Sequence, residues 1–521
     1  MGSLTSDKQY PDASDKSLVL THPTTAEKEQ TWRLNHREWG GALDSPAYLD
    51  RERFLASTPL AADGGMMHWI LTTEEASPPI TGQDGPKRSV LASCETIRKR
   101  VLYAPRAGED GVKEGLCYGI GSVYTYPEFR GKKYAARMLR ELGEALKTWP
   151  AEEQRRKKRP QIRGNGHDSN SSNGSSSQAT NGGSGSPNHG RAPLKKLLQR
   201  AEAEKATCSA LWSDIGKKFY ASKGWPVYPS EHVEFYPSSA TSQVGMSSLL
   251  EKSQSQQQPR HSSSSTSLTL APVNASNLAR LCREDEAQLR RELVRRARAG
   301  NGRTAFAFAP DYDVFRWHWA REEFIASHVF PGRPASEVRG MIATVTSAPP
   351  ADRDHMRDDD KIEEEAKKKT RMWAIWTRNY RADDAASNLE KNTLYILRLV
   401  IDDDNTNITN ITTTSSSSPA AEEEGRKALQ LAFDAIMQSA LDAARPWSCG
   451  TVHLWNPTPV VRGLIAGSAI AHKFVDREVD SIPSMMWYGP DDDEEEEEEE
   501  EEQQQQQPVV DWIANEKYCW C

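Results

Sequence analysis

Long apolar runs are missing from this 521-residue chain. None approaches the roughly 18–20 consecutive apolar residues of a spanning helix, so no membrane partner is expected. The first stretch, Met1–Ser17, is polar, and no signal peptide is expected there. Cysteine is scarce: there are seven, odd in number and scattered. They form neither a disulfide framework nor zinc-ligand spacing, and two thiols at Cys519 and Cys521 are too few for a site. No metal is therefore expected, and the expected location is cytoplasmic, a reducing compartment. Apolar residues make up only 37% of the chain. That average mixes ordinary globular stretches with polar tracts that cannot bury a core.

Net charge is -8, but Asp491–Glu502 alone is a run of 12 acidic residues, without which the remainder stands at +4. A mildly basic remainder suits a phosphorylated small molecule. Basic stretches at Arg155–Arg163 and Arg191–Arg200 read as solvated flanks of a Ser/Asn/Gly tract, Gly164–Gly190, so no nucleic-acid partner is expected. The composition predicts a flexible tail at 1–17, a first domain at 18–240 with a disordered insertion at 160–195, and a linker at 241–270. A second domain follows at 271–521, with polar insertions at about 402–424 and 490–508.

The informative stretch is Glu114–Leu139. An apolar, β-prone run from Leu116 to Thr125 turns through Tyr126-Pro127-Glu128-Phe129 to Arg130-Gly131-Lys132-Lys133. A helix then begins, with Tyr134, Met138, Leu139 and Leu142 on one face. A strand, a tight basic turn and a helix start make a phosphate-binding arrangement, because the first-turn N–H groups are free and the dipole favours an anion. The helix is expected to end before Pro150. Upstream, Thr24 or Thr25 caps a helix carrying Trp32, Asn35 and Trp39 on one face. That face suits core packing or an amine-binding groove. Val90–Thr96 reads as a strand, resuming at Val101–Tyr103 after a basic turn.

Beyond the serine-rich tract, Thr207–Trp212 is an apolar strand, followed by a helix with Gly216, Phe219 and Tyr220 on one face. Gly224 fits a left-handed C-terminal position, and Trp225 re-enters the core. In the second half, Thr304–Phe308, Met341–Val345, Met372–Thr377 and Tyr395–Val400 read as strands. Asp313–Ser327 and Arg426–Ala444 read as helices. The last stretch, Val509–Cys521, is apolar and aromatic enough to pack on a core.

Pro127-Glu128-Phe129-Arg130-Gly131-Lys132-Lys133-Tyr134-Ala135 resembles the acetyl-CoA motif of the GNAT superfamily of N-acetyltransferases. Phe219-Tyr220, with Gly224-Trp225, resembles its second signature. The resemblance implies an α/β (α+β) GNAT fold, with a second, degenerate GNAT-like α/β domain at the C-terminus that lacks the turn and holds no cofactor. It implies acetyl-CoA as donor. The main chain of Val123 and Thr125 would run along the pantetheine arm, and Arg130, Gly131, Lys132, Lys133, Tyr134 and Ala135 would cradle the pyrophosphate. Lys133 stands where the family has glycine, and a helical backbone is expected there, with the ammonium on a phosphate. Tyr220 falls on the general acid toward the leaving thiolate.

For the base, the candidates are Glu95, the exposed side of Cys117, and a water chain ending on Asp214 or on a histidine such as His68. Trp32, Asn35 and the carboxylate of Cys521 are the acceptor-side candidates. Trp32, Asn35 and Trp39, with the terminal Asn515–Cys521, make the chain look like the fungal lysine acetyltransferases of lysine catabolism. The acceptor implied is the ε-amine of free L-lysine. Two other readings stay open, an acetyltransferase for protein lysines or N-termini and a non-catalytic acyl-CoA-binding protein.

Overall fold

The computed structural model describes residues 10–73, 88–105, 111–158, 206–237, 266–299, 302–347, 368–381, 388–402, 419–489 and 510–520. The expected insertion at 160–195, most of the expected linker 241–270, the acidic run with its glutamines at 490–508, and Cys521 lie outside these residues.

The first half runs β1 (Leu18–Thr21), α1 (Thr25–Trp39), α2 (Ser45–Ala56), β2 (Met66–Thr73), β3 (Ala92–Ala104), β4 (Lys113–Thr125), α3 (Tyr134–Lys158), β5 (Cys208–Ser213), a short α4 (Lys218–Ala221) and β6 (Glu231–Phe235). Thr24 starts α1 with a capping box. Its hydroxyl accepts from Glu27 N at 3.3 Å, and the Glu27 carboxylate accepts from Thr24 N at 2.8 Å. Asp44 caps α2 by accepting from Ala47 N at 2.9 Å. The other half repeats this order: β7 (Thr266–Val273), α5 (Ala275–Arg298), β8 (Thr304–Phe308), α6 (Tyr312–Val329), β9 (Gly340–Ser347), β10 (Lys368–Asn379), β11 (Thr393–Ile401), α7 (Pro419–Ala444), β12 (Thr451–Trp455), α8 (Pro459–Gly467), β13 (His472–Asp476), β14 (Ile482–Trp487) and β15 (Val510–Trp512). β7 thus begins inside the expected linker, and α7 inside the expected insertion at 402–424.

Each half builds a sheet in which four antiparallel strands lead to one parallel neighbour. The first sheet is ordered β1-β2-β3-β4-β5-β14, with β8 on β3 and β15 on β8. The second is ordered β13-β6-β12-β11-β10-β9-β7. β4 and β5 pair parallel, as do β11 and β12. The closing strands are exchanged. β6 of the first half pairs with β12, and β14 of the second half pairs with β5. The expected division at 241–270 therefore does not divide the sheets: each half completes the other.

Two elements run further than the sequence pattern suggests. α3 continues past Pro150 to Lys158. One hydrogen bond is lost at the proline, but the residues after it, AEEQRRKK, are mostly strong helix formers. β3 runs unbroken through Arg98-Lys99-Arg100, because distant parts of the chain supply partners for its cations. Lys99 and Arg100 are buried. The Lys99 ammonium donates to the carbonyls of Cys519 (2.7 Å) and Trp520 (2.9 Å). Arg100 meets Asp311 at 2.6 Å and also Glu286. The expected loose tail is held at its inner end, where Arg137 Nη1 donates to Ala13 O at 2.8 Å and the Tyr134 hydroxyl donates to Pro11 O.

The terminal segment is buried: Val510, Trp512, Tyr518 and Cys519 belong to one core cluster with Phe306, Phe308 and Phe315. It is anchored by Arg398 of β11, which donates to both oxygens of Asp285 at 2.9 and 2.7 Å and also to Glu516. The second Glu516 oxygen accepts from Leu399 N at 2.8 Å. Removing one carboxylate would leave a buried guanidinium under-compensated. The Asp285→Ala protein is expected to lose about 3–5 kcal/mol. Urea unfolding checks this, with a lower midpoint and an unchanged slope as the expected outcome.

Candidate active site

The site starts from a departure between two parallel strands. Residues Cys117–Ile120 of β4 pair with Cys208–Leu211 of β5, and the pairing then ends. Both strands continue, to Thr125 and Ser213, with no strand between them among the described residues. The bend has a local cause. The β3–β4 register shifts between Ser93 and Glu95, and Ser122 takes a left-handed backbone with φ 52°. Such a bulge bends its strand and frees part of its edge. Val123 and Thr125, both half-buried, stand on this diverging segment.

After β4, Tyr126 leads into a short turn at Pro127–Phe129 and then to Arg130-Gly131-Lys132-Lys133. Gly131 has φ +80°, and a Cβ placed on it would meet nothing within 4 Å. The backbone there faces open space. Lys133 corrects an expectation, since its φ is 63° rather than helical. The helix begins one residue later. Its first intrahelical bond, Arg137 N to Lys133 O at 3.1 Å, leaves the N–H groups of Tyr134, Ala135 and Ala136 without an intrahelical acceptor. A lysine with left-handed backbone here costs about 1–2 kcal/mol, which glycine would avoid.

Arg130, Lys132 and Lys133 are exposed around this turn. Arg130 Nε donates to Thr125 O at 3.2 Å, and Lys132 lies 5.4 Å from the Tyr10 ring. The Tyr134 ring is buried, so only its backbone faces the turn. Sequence and structure thus agree on a glycine-bearing basic turn at a helix start, next to an opened strand edge.

Tyr220 lies at the other wall. It is buried in the cluster holding Cys94, Tyr118, Tyr124, Leu211 and Trp225. Burial, then the charge of Asp214 and the thiol of Cys94, pushes its pKa well above the ordinary phenol value, so it stays protonated at neutral pH. Gly224 has the expected left-handed backbone, φ 97°, and Trp225 is fully buried, donating from Nε1 to Ser209 Oγ at 3.0 Å.

Glu95, adjacent to Cys94 on β3, faces a different set of groups. It gathers Trp32 Nε1 at 2.9 Å, Ser122 Oγ at 3.1 Å, and His68 Nδ1 at 3.1 Å in an ion-pair contact poorly aligned for a hydrogen bond. Burial opposes its charge, but His68, Trp32 and Ser122 outweigh burial and hold the pKa below the usual glutamate range. Trp32 and Asn35 are both buried on α1, and Asn35 Oδ1 has no hydrogen-bond partner. Cys117 is wholly buried, with no exposed side to serve as base. Cys521 lies outside the described residues. Ser122 gave no signal in sequence, because its role comes from the bulge.

The second half has the matching departure, and it is filled. β11 and β12 pair only over Thr393–Ile396 and Thr451–Leu454. Beyond that point Glu516 occupies Leu399 N, and Asn456 Nδ2 donates to Asn515 O at 2.5 Å. The chain's own last segment takes the place left open in the first half.

Residues 254–521 match the family described as the LYC1 GNAT-like C-terminal domain. The chain belongs to this family. Two curated relatives match shorter stretches of this LYC1-like chain. An uncharacterized protein of Saccharomyces cerevisiae is 29% identical over 146 residues, 25% of this chain and 36% of the relative. A lysine acetyltransferase of Yarrowia lipolytica is 30% identical over 121 residues, 23% of this chain and 27% of the relative. The matches thus span about a third of the first relative's own length and about a quarter of the second's. Among solved structures, a GCN5-related N-acetyltransferase from Kribbella flavida is 11% identical, with TM-score 0.36, covering 90% of this chain and 70% of that one. A tandem GNAT protein from the clavulanic acid biosynthesis pathway is 9% identical, with TM-score 0.32, covering 91% and 98%.

The left-handed lysine gives a direct test of the turn. The Lys133→Gly protein of this LYC1-like chain is expected to be more stable by about 1 kcal/mol. A higher urea midpoint with unchanged slope is the expected outcome.

Proposed function

We propose that the chain moves the acetyl group of acetyl-CoA to a primary amine, and that the amine is the ε-amine of free L-lysine. The observation that carries the reading is the opened edge of β4 between a helix-start basic turn and two walls of opposite chemistry, protonated Tyr220 and ionised Glu95. The lysine assignment draws support from the name of the Yarrowia relative. The large second half, which shares strands with the first, also suits a small acceptor better than a peptide. Among the described residues no helix is long and apolar enough to cross a membrane. We place the activity in the cytoplasm.

The donor fits the first gap. Gly131 leaves open space, and the free N–H groups of Tyr134 and Ala135 suit a pyrophosphate, with Arg130, Lys132 and Lys133 adding charge. Main-chain groups of Val123 and Thr125 would hold the pantetheine arm. Acetyl-CoA supplies an activated acyl carbon and a thiolate leaving group. Tyr220 keeps its proton at neutral pH and can pass it to that thiolate, itself a strong base. The acceptor amine must lose its proton before or during attack. Glu95, ionised and paired with His68, is the base nearest the bulge, and Trp32 fixes its orientation. Because the second gap is filled by the chain itself, one donor binds per chain.

Tyr220→Phe is expected to lower kcat about 100-fold with little change in KM for acetyl-CoA, measured by thiol release. Lysine should be turned over in preference to polyamines and a histone-tail peptide. Glu95 carries a stability signature as well. Its folded pKa is depressed, so its contribution is present above the ordinary glutamate value of 4.5 and is lost as pH falls through and below it. Glu95→Gln is expected to flatten the acid limb of a stability-versus-pH curve, and thermal unfolding between pH 3 and 7 checks this.

A further inference from the structure

Four cations from distant parts of the chain share three aromatic rings. Lys517 Nζ lies 3.9 Å from the Trp520 ring, 4.2 Å from Trp455 and 4.8 Å from Tyr395. The Arg477 guanidinium lies over the same Trp455 at 3.9 Å. Arg381 donates from Nη2 to the Tyr395 hydroxyl at 3.2 Å, and Arg321 lies 5.7 Å from Trp520. Lys517 and Arg477 are buried, Arg321 is half-buried, and Arg381 stands exposed at the rim.

Among the described residues none of the four forms an ion pair. Among the described residues their side-chain hydrogen bonds go to neutral groups: Arg321 to Asn379 Oδ1 at 3.0 Å, Arg477 Nη1 to Glu231 O at 3.0 Å, and Arg381 to Tyr395. Arg477 keeps Nε and Nη2 buried without an acceptor. Cation–ring contacts offset part of the cost of burying such charge, but they do not neutralise it. Burial, then the charges of Arg381, Arg477 and Arg321, presses the Lys517 pKa well below its ordinary value. Among the described residues, such an arrangement has no counter-charge in contact and favours an anion.

The place of the cluster narrows what that anion is. Asp214 accepts from Ser481 N at 3.0 Å, four residues beyond Arg477, and adds negative charge near both Lys517 and Tyr220. On the other side, Phe54 of α2 stacks on Phe324 of α6 with ring centroids 5.6 Å apart, and Tyr48 and Glu52 of α2 each feel the charge of both Arg321 and Glu95. The cations therefore border both groups that handle protons in the proposed transfer. His232, Glu234 and His453 lie next to them, with ligand atoms within 4.8 Å of one another. Arg381 and Lys517 press on His453, which disfavours a further cation there.

We propose that Lys517, Arg477, Arg381 and Arg321 bind the carboxylate of the acceptor and so select it over an alkyl amine of the same length. The inference rests on the amine-acetyltransferase reading above. A bidentate arginine and a lysine set on flat aromatic walls hold a carboxylate in one orientation and point the far amine away from themselves.

The test compares L-lysine with lysinamide and cadaverine as acceptors, in the wild type and in the Lys517→Met and Arg477→Met proteins. The wild type is expected to favour lysine over lysinamide by about 100-fold in kcat/KM, and either variant to reduce that ratio below about 5-fold. KM for acetyl-CoA should change less than about 2-fold, since its phosphates lie at the other turn. A binding arm needs no turnover: 6-aminohexanoate is titrated by the fluorescence of tryptophans, among them Trp455 and Trp520. Saturable quenching in the wild type, lost in Lys517→Met, supports the site.

Methionine matches lysine in bulk and removes a buried charge, so that variant is expected to fold. An active enzyme that acetylates cadaverine and lysine alike overturns the carboxylate site and leaves the transferase standing. Carboxylate binding with no acetyl transfer to any amine overturns the transferase reading and keeps the site. A rise in KM for acetyl-CoA in the variants, with the acceptor ratio unchanged, assigns the cations to the donor and overturns the proposal.

Discussion

Arg398 on β11 meets Asp285 from α5 and Glu516 from the terminal segment, and the other oxygen of Glu516 holds Leu399 N. Much else depends on this buried exchange. It closes the gap between β11 and β12, and it fixes the short turn that carries Lys517, Tyr518 and Cys519. The same turn delivers the Cys519 and Trp520 carbonyls to Lys99 in the middle of β3. An ion pair of this kind adds little stability over an apolar replacement, but it is strict about geometry. Here the geometry sets which of two similar gaps is filled and which stays open.

The exchange of β6 and β14 has a parallel effect at larger scale. Because each sheet takes in a strand from the other half, the two halves are fixed against one another. α1, α2 and β3 furnish Trp32, Glu52 and Glu95. α6 and the terminal turn furnish Arg321 and Lys517. A cleft between freely hinged domains would close only on its ligand, with ordering costs at each binding event. Sheets that share strands are set in advance, so the residues they carry hold their places before any ligand arrives.

Local features were legible in the sequence and distant ones were not. Gly131, the helix start at Tyr134, the cap at Thr24 and the left-handed Gly224 are each decided within a few residues, so spacing and residue type suffice. Lys133 misled, because a left-handed lysine looks the same in sequence as a helical one; the next turn forces the backbone. Arg98-Lys99-Arg100 reads as a break in a strand until its partners are known, and those sit about 200 and 420 residues away. The strand exchange left no trace, since β6 and β14 have the same alternation whichever sheet they join. Lys517 carried a faint signal: a charged residue among Tyr518, Cys519 and Trp520, in a stretch otherwise fit for a core.

Strand exchange also dictates when the molecule can finish folding as it is made. β5 acquires its outer neighbour only when Ile482–Trp487 exists, and β8 acquires its outer neighbour only with Val510–Trp512. At about 5–20 residues per second, the interval between Ser213 and Ile482 is about 15–50 s of synthesis. For that time the edge of β5 is an unpaired template, open to any passing strand. A chain built this way keeps that edge exposed until its last tenth emerges.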